Sequence, residues 1–200
     1  MGLLRCASLV FGLLVGTWGT AQADVIARIG VHLKGLATAT DAQQDILNSA
    51  IKADLRTLLD HEGAFTTSFA ELPITRVDAP DGTFRLFTWN LPRTNGQHQF
   101  EGFLLARTPR GQALFELRDQ TPKIAAPEVP ELGPDRWYGA LYYEVIPVKK
   151  GAQTYYTLLG WKGHSKAETR KVIEVLSFKG GKPRFGAPLF GKGKIKAMRK

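Results

Sequence analysis

The sequence predicts an α+β fold: an N-terminal amphipathic helix packed on a strongly curved or barrel-like antiparallel β-meander of about seven strands. Three observations predict it. Residues 41–60, DAQQDILNSAIKADLRTLLD, place Leu47, Ile51, Leu55 and Leu58 at helical spacing. After Pro73 the chain changes to aromatic and β-branched runs divided by Gly, Pro, Asn and Asp, the pattern of successive hairpins. Some of these runs are apolar on both faces: KVIEVLSF sets Val172, Leu176 and Phe178 on one side and Ile173 and Val175 on the other. Both faces are then at least partly covered, which a curled or closed sheet with the helix packed on it would achieve.

In chain order, VIARIGVHLKGLA at 25–37 fits either a short helix or a first strand, weakened by Gly30 and Gly35. The helix from Asp41 starts where Thr40 or Asp41 can cap its free amides. Turns then fall at APDG (79–82), RTNG (93–96) and PRG (109–111), separating ITRVD, TFRLFTWNL, HQFEGFLLART and QALFELRD. QTPKIAAPEVPELGPD, with four prolines and no apolar period, reads as a long surface connection. RWYGALYYEVIPV, TYYTLLGW, RKVIEVLSF and a short strand near Arg184 follow, joined at KKGA and KGGK.

YTLLGW (156–161) aligns without a gap on FRLFTW (84–89), and VIEVLS from Val172 on FEGFLL from Phe100, at the same offset in the sequence. Two copies of one hairpin unit would produce this, and so would any two aromatic hairpins. Under duplication, Trp89 and Trp161 are equivalent, and the loops bearing His98 and His164 lie at equivalent corners.

The two ends of the chain differ from its body. Arg5, the apolar run LVFGLLVG and the small residues AQA before Asp24 read as an export signal over 1–23. A periplasmic or extracellular protein is expected, with a single domain over 24–190 and a basic, flexible tail over 191–200. The apolar run is too short for a membrane span, which needs about 20 residues. Cys6, the only cysteine, lies within the signal, so the processed chain offers no disulfide, thiol nucleophile or thiolate metal site. The net charge of +9 is uneven. Residues 24–178 carry 18 acidic and 18 basic side chains, and the basic residues after Phe178 have no acid among them in the sequence. Lys192, Lys194, Lys196, Arg199 and Lys200 are the candidates for an anionic envelope surface. The last ten residues hold no aromatic to stack on bases, against specific nucleic-acid binding.

Chemical motifs are sparse. His32, His61, His98 and His164 form no two-histidine metal spacing, and neither a GxSxG elbow nor a phosphate-binding glycine loop before a helix is present. No metal and no cofactor are expected. Trp89, His98, Trp161 and His164 are the candidate ligand-binding residues, since an indole beside an imidazole suits a flat or sugar-like ligand. The competing reading makes each Trp a plug at one end of the sheet core and each loop His a solvated side chain. Glu101 and Glu116 could face each other across adjacent strands as an acid–base pair, or lie on a solvent face opposite arginines.

YYTLLGWKGHSKAETRKVIEVLSFKGGKPRFGAPLF resembles the C-terminal region of a group of uncharacterised secreted bacterial proteins that pair a YTLLGW-like strand with a KVIEVL-like strand and an FGAPLF-like end. The resemblance covers about 35 residues and implies export and the β-rich unit; it brings no activity or ligand. The function expected is therefore an exported, non-catalytic binding or envelope-associated module. A hydrolase using carboxylate and His residues at the sheet end, and a polyanion binder acting through the tail, are the alternatives.

Overall fold

A computed structural model describes residues 10–127, 131–163, 168–187 and 189, with side chains from 19 onward. His164 and the five tail candidates, Lys192, Lys194, Lys196, Arg199 and Lys200, lie outside the described residues. The chain divides into two compact units, Met1–Pro73 and Ile74–Lys200.

The first unit holds two packed helices, α1 (Val10–Gly35) and α2 (Asp41–Leu59), and a short 3-10 turn, Glu62–Phe65. Of the segment 25–37, which the sequence left open, residues 25–35 are helical and continuous with the chain before them, so α1 runs through the expected cleavage point at Ala23. Thr40 caps α2. Its Oγ1 accepts from Gln43 N, and its own N–H donates to Gln43 Oε1 at 2.9 Å, so two orphan amides are satisfied reciprocally. Of the apolar residues at helical spacing, Ile51, Leu55 and Leu58 are buried and Leu47 is half-buried. Arg28 on α1 grips Asp54 on α2 at 2.7 and 3.3 Å. Among the described residues no helix is long and apolar enough to cross a membrane.

Among its described residues the second unit has eight strands, where the sequence predicted about seven. They form two separate antiparallel meanders rather than one barrel-like sheet: β1 (Thr75–Asp78), β2 (Phe84–Pro92), β3 (His98–Thr108) and β4 (Gly111–Arg118), then β5 (Leu141–Lys150), β6 (Gln153–Gly163), β7 (Thr169–Lys179) and β8 (Lys182–Phe185). The physical reason is the proline-rich connection 119–140. Prolines lack the N–H that a ladder needs, and the described residues of this connection form no named strand that would join the two sheets. It makes two single bridges instead, Asp119 to Trp137 beside β4 and Leu132 to Phe185 on β8. The connection is also less superficial than the sequence suggested, because Ile124 and Leu132 are buried in the core.

Alternation sets the core. Phe84 and Leu86 of β2 and Phe100 and Leu104 of β3 meet Tyr142, Tyr156, Leu158 and Leu176 of the second meander in one apolar cluster. Phe84 and Tyr156, counterparts in the sequence repeat, touch edge to face with centroids 5.0 Å apart. The two matched runs hold equivalent places, since β2–β3 and β6–β7 are the central hairpins of the two meanders. Their registers differ. Trp89 pairs with Glu101, whereas Trp161 pairs with Lys171. The second hairpin is thus slipped by two residues, an even number that keeps every side chain on its face.

Candidate functional site

The structure brings two of the four sequence candidates together and separates a third. His98 opens β3, Trp161 lies near the end of β6, and their rings meet edge to face at 5.4 Å. Both are half-buried. Phe100, two residues along β3, stacks beside His98 at 6.3 Å and also touches Trp161 at 6.3 Å. Trp89 is elsewhere. It has odd parity on β2, facing away from Phe84 and Leu86, and packs against Phe103 at 6.1 Å with 3% of its surface exposed.

Gly163 makes the His98 contact possible. A Cβ at this position would stand 2.7 Å from His98 Cγ and Nε2, so only a residue with no side chain lets β6 end under the imidazole. From β2, Asn90 Nδ2 lies 3.0 Å from His98 Nδ1. As an amide donor it fixes Nδ1 as the acceptor and leaves the proton of the neutral ring on Nε2. Burial, and second the positive charge of Lys162, hold the His98 pKa below the usual histidine range.

Lys162 is the residue that sequence reasoning missed. It shares a face of β6 with Tyr156, Leu158 and Gly160, and it is buried to 1% exposure. Its Nζ donates to Gly139 O at 2.6 Å, Thr121 Oγ1 at 2.8 Å and Tyr138 O at 3.1 Å. The rings of Tyr138 and Phe100 lie 4.3 and 4.4 Å from it. Three acceptors match the three protons of an ammonium, and two aromatic faces add cation–π attraction. Asp119 holds the other side of this knot, accepting from Phe100 N at 3.0 Å, Thr121 N at 2.8 Å and Thr121 Oγ1 at 2.5 Å. Gly139, at φ 31, sits where a Cβ would overlap both Asp119 and Phe100. A lysine closing an otherwise apolar strand face was the available signal.

A second buried chain runs through the core: Trp137 Nε1 donates to Tyr142 OH at 3.0 Å, and Tyr142 OH donates to Glu174. A third pin joins the meanders, where Tyr156 OH donates to Asp81 Oδ2 at 2.7 Å and lies 2.9 Å from Thr83 Oγ1. Burial would raise the Asp81 carboxyl, but hydrogen bonds from Tyr156 and Thr83 outweigh it and hold it below the ordinary range. Burial, first, and Asp81 push the Tyr156 phenol up to about 12.

The carboxylates proposed for acid–base chemistry do not join His98. Glu101 has the opposite parity on β3, so it lies on the other face of the sheet from the imidazole. It pairs with Arg118 and Glu116 with Phe103, so the two acids are diagonal neighbours rather than facing partners. Glu101 is buried, not on a solvent face, and accepts from Gln99 Nε2 at 2.7 Å. Among the described residues no three His, Asp or Glu side chains gather as metal ligands.

In the first unit, a cavity of about 310 Å³ lies between Gly19, Gln22, Ala23 and Ile26 of α1 and residues 68–71. Phe69, at φ 46, is the one described non-glycine residue in the left-handed region. Gly19, Gln22 and Ala23 belong to the segment read as an export signal.

No protein-family model, curated protein or solved structure matches the chain.

Proposed function

We propose that the protein is an exported, soluble, non-catalytic binding module of the cell envelope, processed after Ala23, whose contact site is the His98–Trp161 corner. One observation carries this reading: the interior ionisable groups are committed to holding the chain, while the corner offers its rings half-exposed. Lys162 serves three acceptors, Glu174 receives Tyr142, and Asp119 caps the turn beneath Phe100. At the corner an indole and a neutral imidazole with its Nε2–H free of the Asn90 contact provide an apolar surface and a donor. The export signal and the resemblance to secreted bacterial proteins support the location. The acid-free basic stretch from Lys179 onward supports an anionic envelope component as the partner. A hydrolase is disfavoured because His98 and the pair Glu101/Glu116, on β3 and β4, have opposite parity in the first sheet.

The test is binding to fractionated envelope material, namely cell-wall glycan and anionic lipid vesicles, followed by sedimentation. Retention on at least one fraction, weakened at least about tenfold by Trp161→Ala or His98→Gln with the fold intact, is expected. Retention unchanged by both substitutions, or turnover of a glycan or ester substrate that is lost in Glu101→Gln, contradicts the reading.

A further inference from the structure

At the second corner the interior polar groups are spent and the rim groups are not. Lys162 is buried and gives its three protons to three oxygens. The Trp161 indole N–H, by contrast, has no hydrogen-bond partner among the described residues. Asn90 and His98 use one end of the amide and one ring nitrogen on each other. With Asn90 Nδ2 donating to His98 Nδ1, the free ends are a donor, His98 Nε2–H, and an acceptor, Asn90 Oδ1. Turning the amide and moving the ring proton together exchanges the two and keeps the count. The corner therefore presents two donors and one acceptor, all neutral, beside an indole.

Aromatic surface continues past the corner on the same side of the sheet. Trp161 and Lys171 are directly opposed on β6 and β7, so they share a face. Lys171 reaches back across β6, and its ammonium lies 5.2 Å from the centre of the Tyr143 ring on β5, two strand spacings or about 10 Å from its own strand. Tyr143 is 49% exposed, the most exposed aromatic side chain among the described residues. Its phenol has no hydrogen-bond partner among them.

The charges on this face select the class of ligand. Glu144 is exposed and opposes Leu159, which has the parity of Trp161. This acid offsets Lys171, so the face has no surplus charge to attract a phosphate-rich surface. An anionic head group is also acceptor only; it would satisfy the two donors and leave the free acceptor of the Asn90–His98 pair against negative charge. An acetamido group carries one N–H and one C=O and matches a donor and an acceptor side by side. The apolar side of a sugar ring covers an exposed aromatic ring.

We propose that the corner is one end of a glycan-binding track: an acetamido-bearing sugar unit hydrogen-bonds to Trp161, His98 and Asn90, and following units of the chain lie over Tyr143. This rests on the reading of the corner as the contact site and names the ligand class for it. The anionic part of the attraction then belongs to the basic stretch after Phe178 and not to the corner.

The experiment titrates the full chain with N-acetylglucosamine, with its tetramer, with inorganic phosphate and with phosphatidylglycerol vesicles, following the Trp161 indole N–H by NMR. The tetramer should move that signal. Its affinity should change less than about threefold between 0.1 M and 1 M salt, although the screening length falls from about 10 Å to about 3 Å. By calorimetry, Trp161→Phe, which keeps an aromatic ring and deletes the donor, should weaken the tetramer about three- to tenfold. Tyr143→Ala should weaken the tetramer at least about threefold and leave the monosaccharide unchanged, a split that a general loss of fold does not produce. A Trp161 signal moved by phosphate or vesicles and not by the tetramer would overturn the glycan assignment while leaving the corner as the contact site. Silence of Trp161 toward all four ligands, in protein that envelope fractions still retain, would overturn the contact-site reading as well. A tetramer affinity that collapses in 1 M salt, or equal losses for monosaccharide and tetramer in Tyr143→Ala, also contradicts the track. The titration of the unsubstituted chain decides the assignment even if a variant fails to fold.

Discussion

The two central hairpins, β2–β3 and β6–β7, carry the same run of residue types and put their tryptophans to different uses. Trp89 and Trp161 both have odd parity and both follow an aromatic–apolar stripe. Trp89 is buried against Phe103, with Glu101 opposite it in register; Trp161 is half-buried, with His98 at its edge and Lys171 opposite it. The slip of two residues in the second hairpin accounts for part of the difference, since it changes the cross-strand partner of each Trp without changing its face. The rest comes from Lys162 and Gly163, which follow Trp161 where Asn90 and Leu91 follow Trp89. The bare backbone of Gly163 leaves room for His98 at the second corner, beside the buried Lys162 ammonium. A similar pattern of apolar residues therefore builds similar strands, and the residues just beyond the pattern decide how each strand end is packed.

The largest expected effect is the ranking of the two tryptophans. Trp89→Ala should cost about 3 to 5 kcal/mol, the range for deleting a buried large aromatic, and Trp161→Ala about 1 to 2 kcal/mol, since a half-buried ring loses less surface. Denaturant unfolding of both variants checks this, and equal or reversed costs would break the comparison.

Gly163→Ala comes next. Forcing a methyl against the imidazole should cost about 1 to 3 kcal/mol as overpacking. In a His98→Ala background the same substitution should become nearly neutral. Additive costs in that double-mutant cycle would mean that the two residues are not in the contact described.

Tyr156→Phe makes the counterpart positions 84 and 156 identical and removes the phenol from Asp81. A loss of about 1 kcal/mol is expected, the usual net worth of a hydrogen bond. The pH dependence follows in sign. A depressed carboxyl contributes stability that is whole above its unfolded value and lost as pH falls through its folded one. The Asp81 contribution therefore disappears on acidification to below about 3.8, and Tyr156→Phe should flatten that part of the acid limb. The depressed His98 behaves alike in a higher window: its contribution is whole above about 6.5 and fades as the pH falls through its folded value. The raised Tyr156 gives the opposite limb, intact below pH 10 and lost toward about 12. Melting curves over this pH range separate the three windows.

The smallest effect on stability is expected from the end of the chain. Truncation after Phe190 should leave Tm nearly unchanged yet weaken binding to anionic vesicles. The binding it removes should itself fade as salt shortens the screening length from about 10 Å at 0.1 M to about 3 Å at 1 M. Unchanged vesicle binding after truncation would transfer the attraction to the folded strands.

How much of this was legible in the sequence depends on how local the signal was. Thr40 with Gln43, the helical spacing of Ile51, Leu55 and Leu58, and the glycine turns at 82, 96, 111 and 180 are short-range signals, and the elements fall where they point. The arrangement of the strands was less legible. A run apolar on both faces shows that Val175 is covered, but not whether the cover is the same sheet closing or a second sheet, and the structure has two open meanders. Charge was the least legible feature. Lys162 and Glu174 carry no local sign of burial, yet both are buried, because partners distant in sequence supply their hydrogen bonds: Tyr138 and Gly139 for the lysine, Tyr142 for the glutamate. The His98–Trp161 contact spans the two hairpins and has no local signature beyond the glycine at 163.

The most direct test of the central claim, that the second corner and not the first meets the envelope, is 19F NMR of protein labelled with 5-fluorotryptophan, titrated with cell-wall glycan and with anionic vesicles. The Trp161 signal, assigned with Trp161→Phe, should shift or broaden with at least one of them while Trp89 stays in place. Movement of Trp89 with Trp161 unmoved, or silence of both in a preparation that binds, would contradict the account.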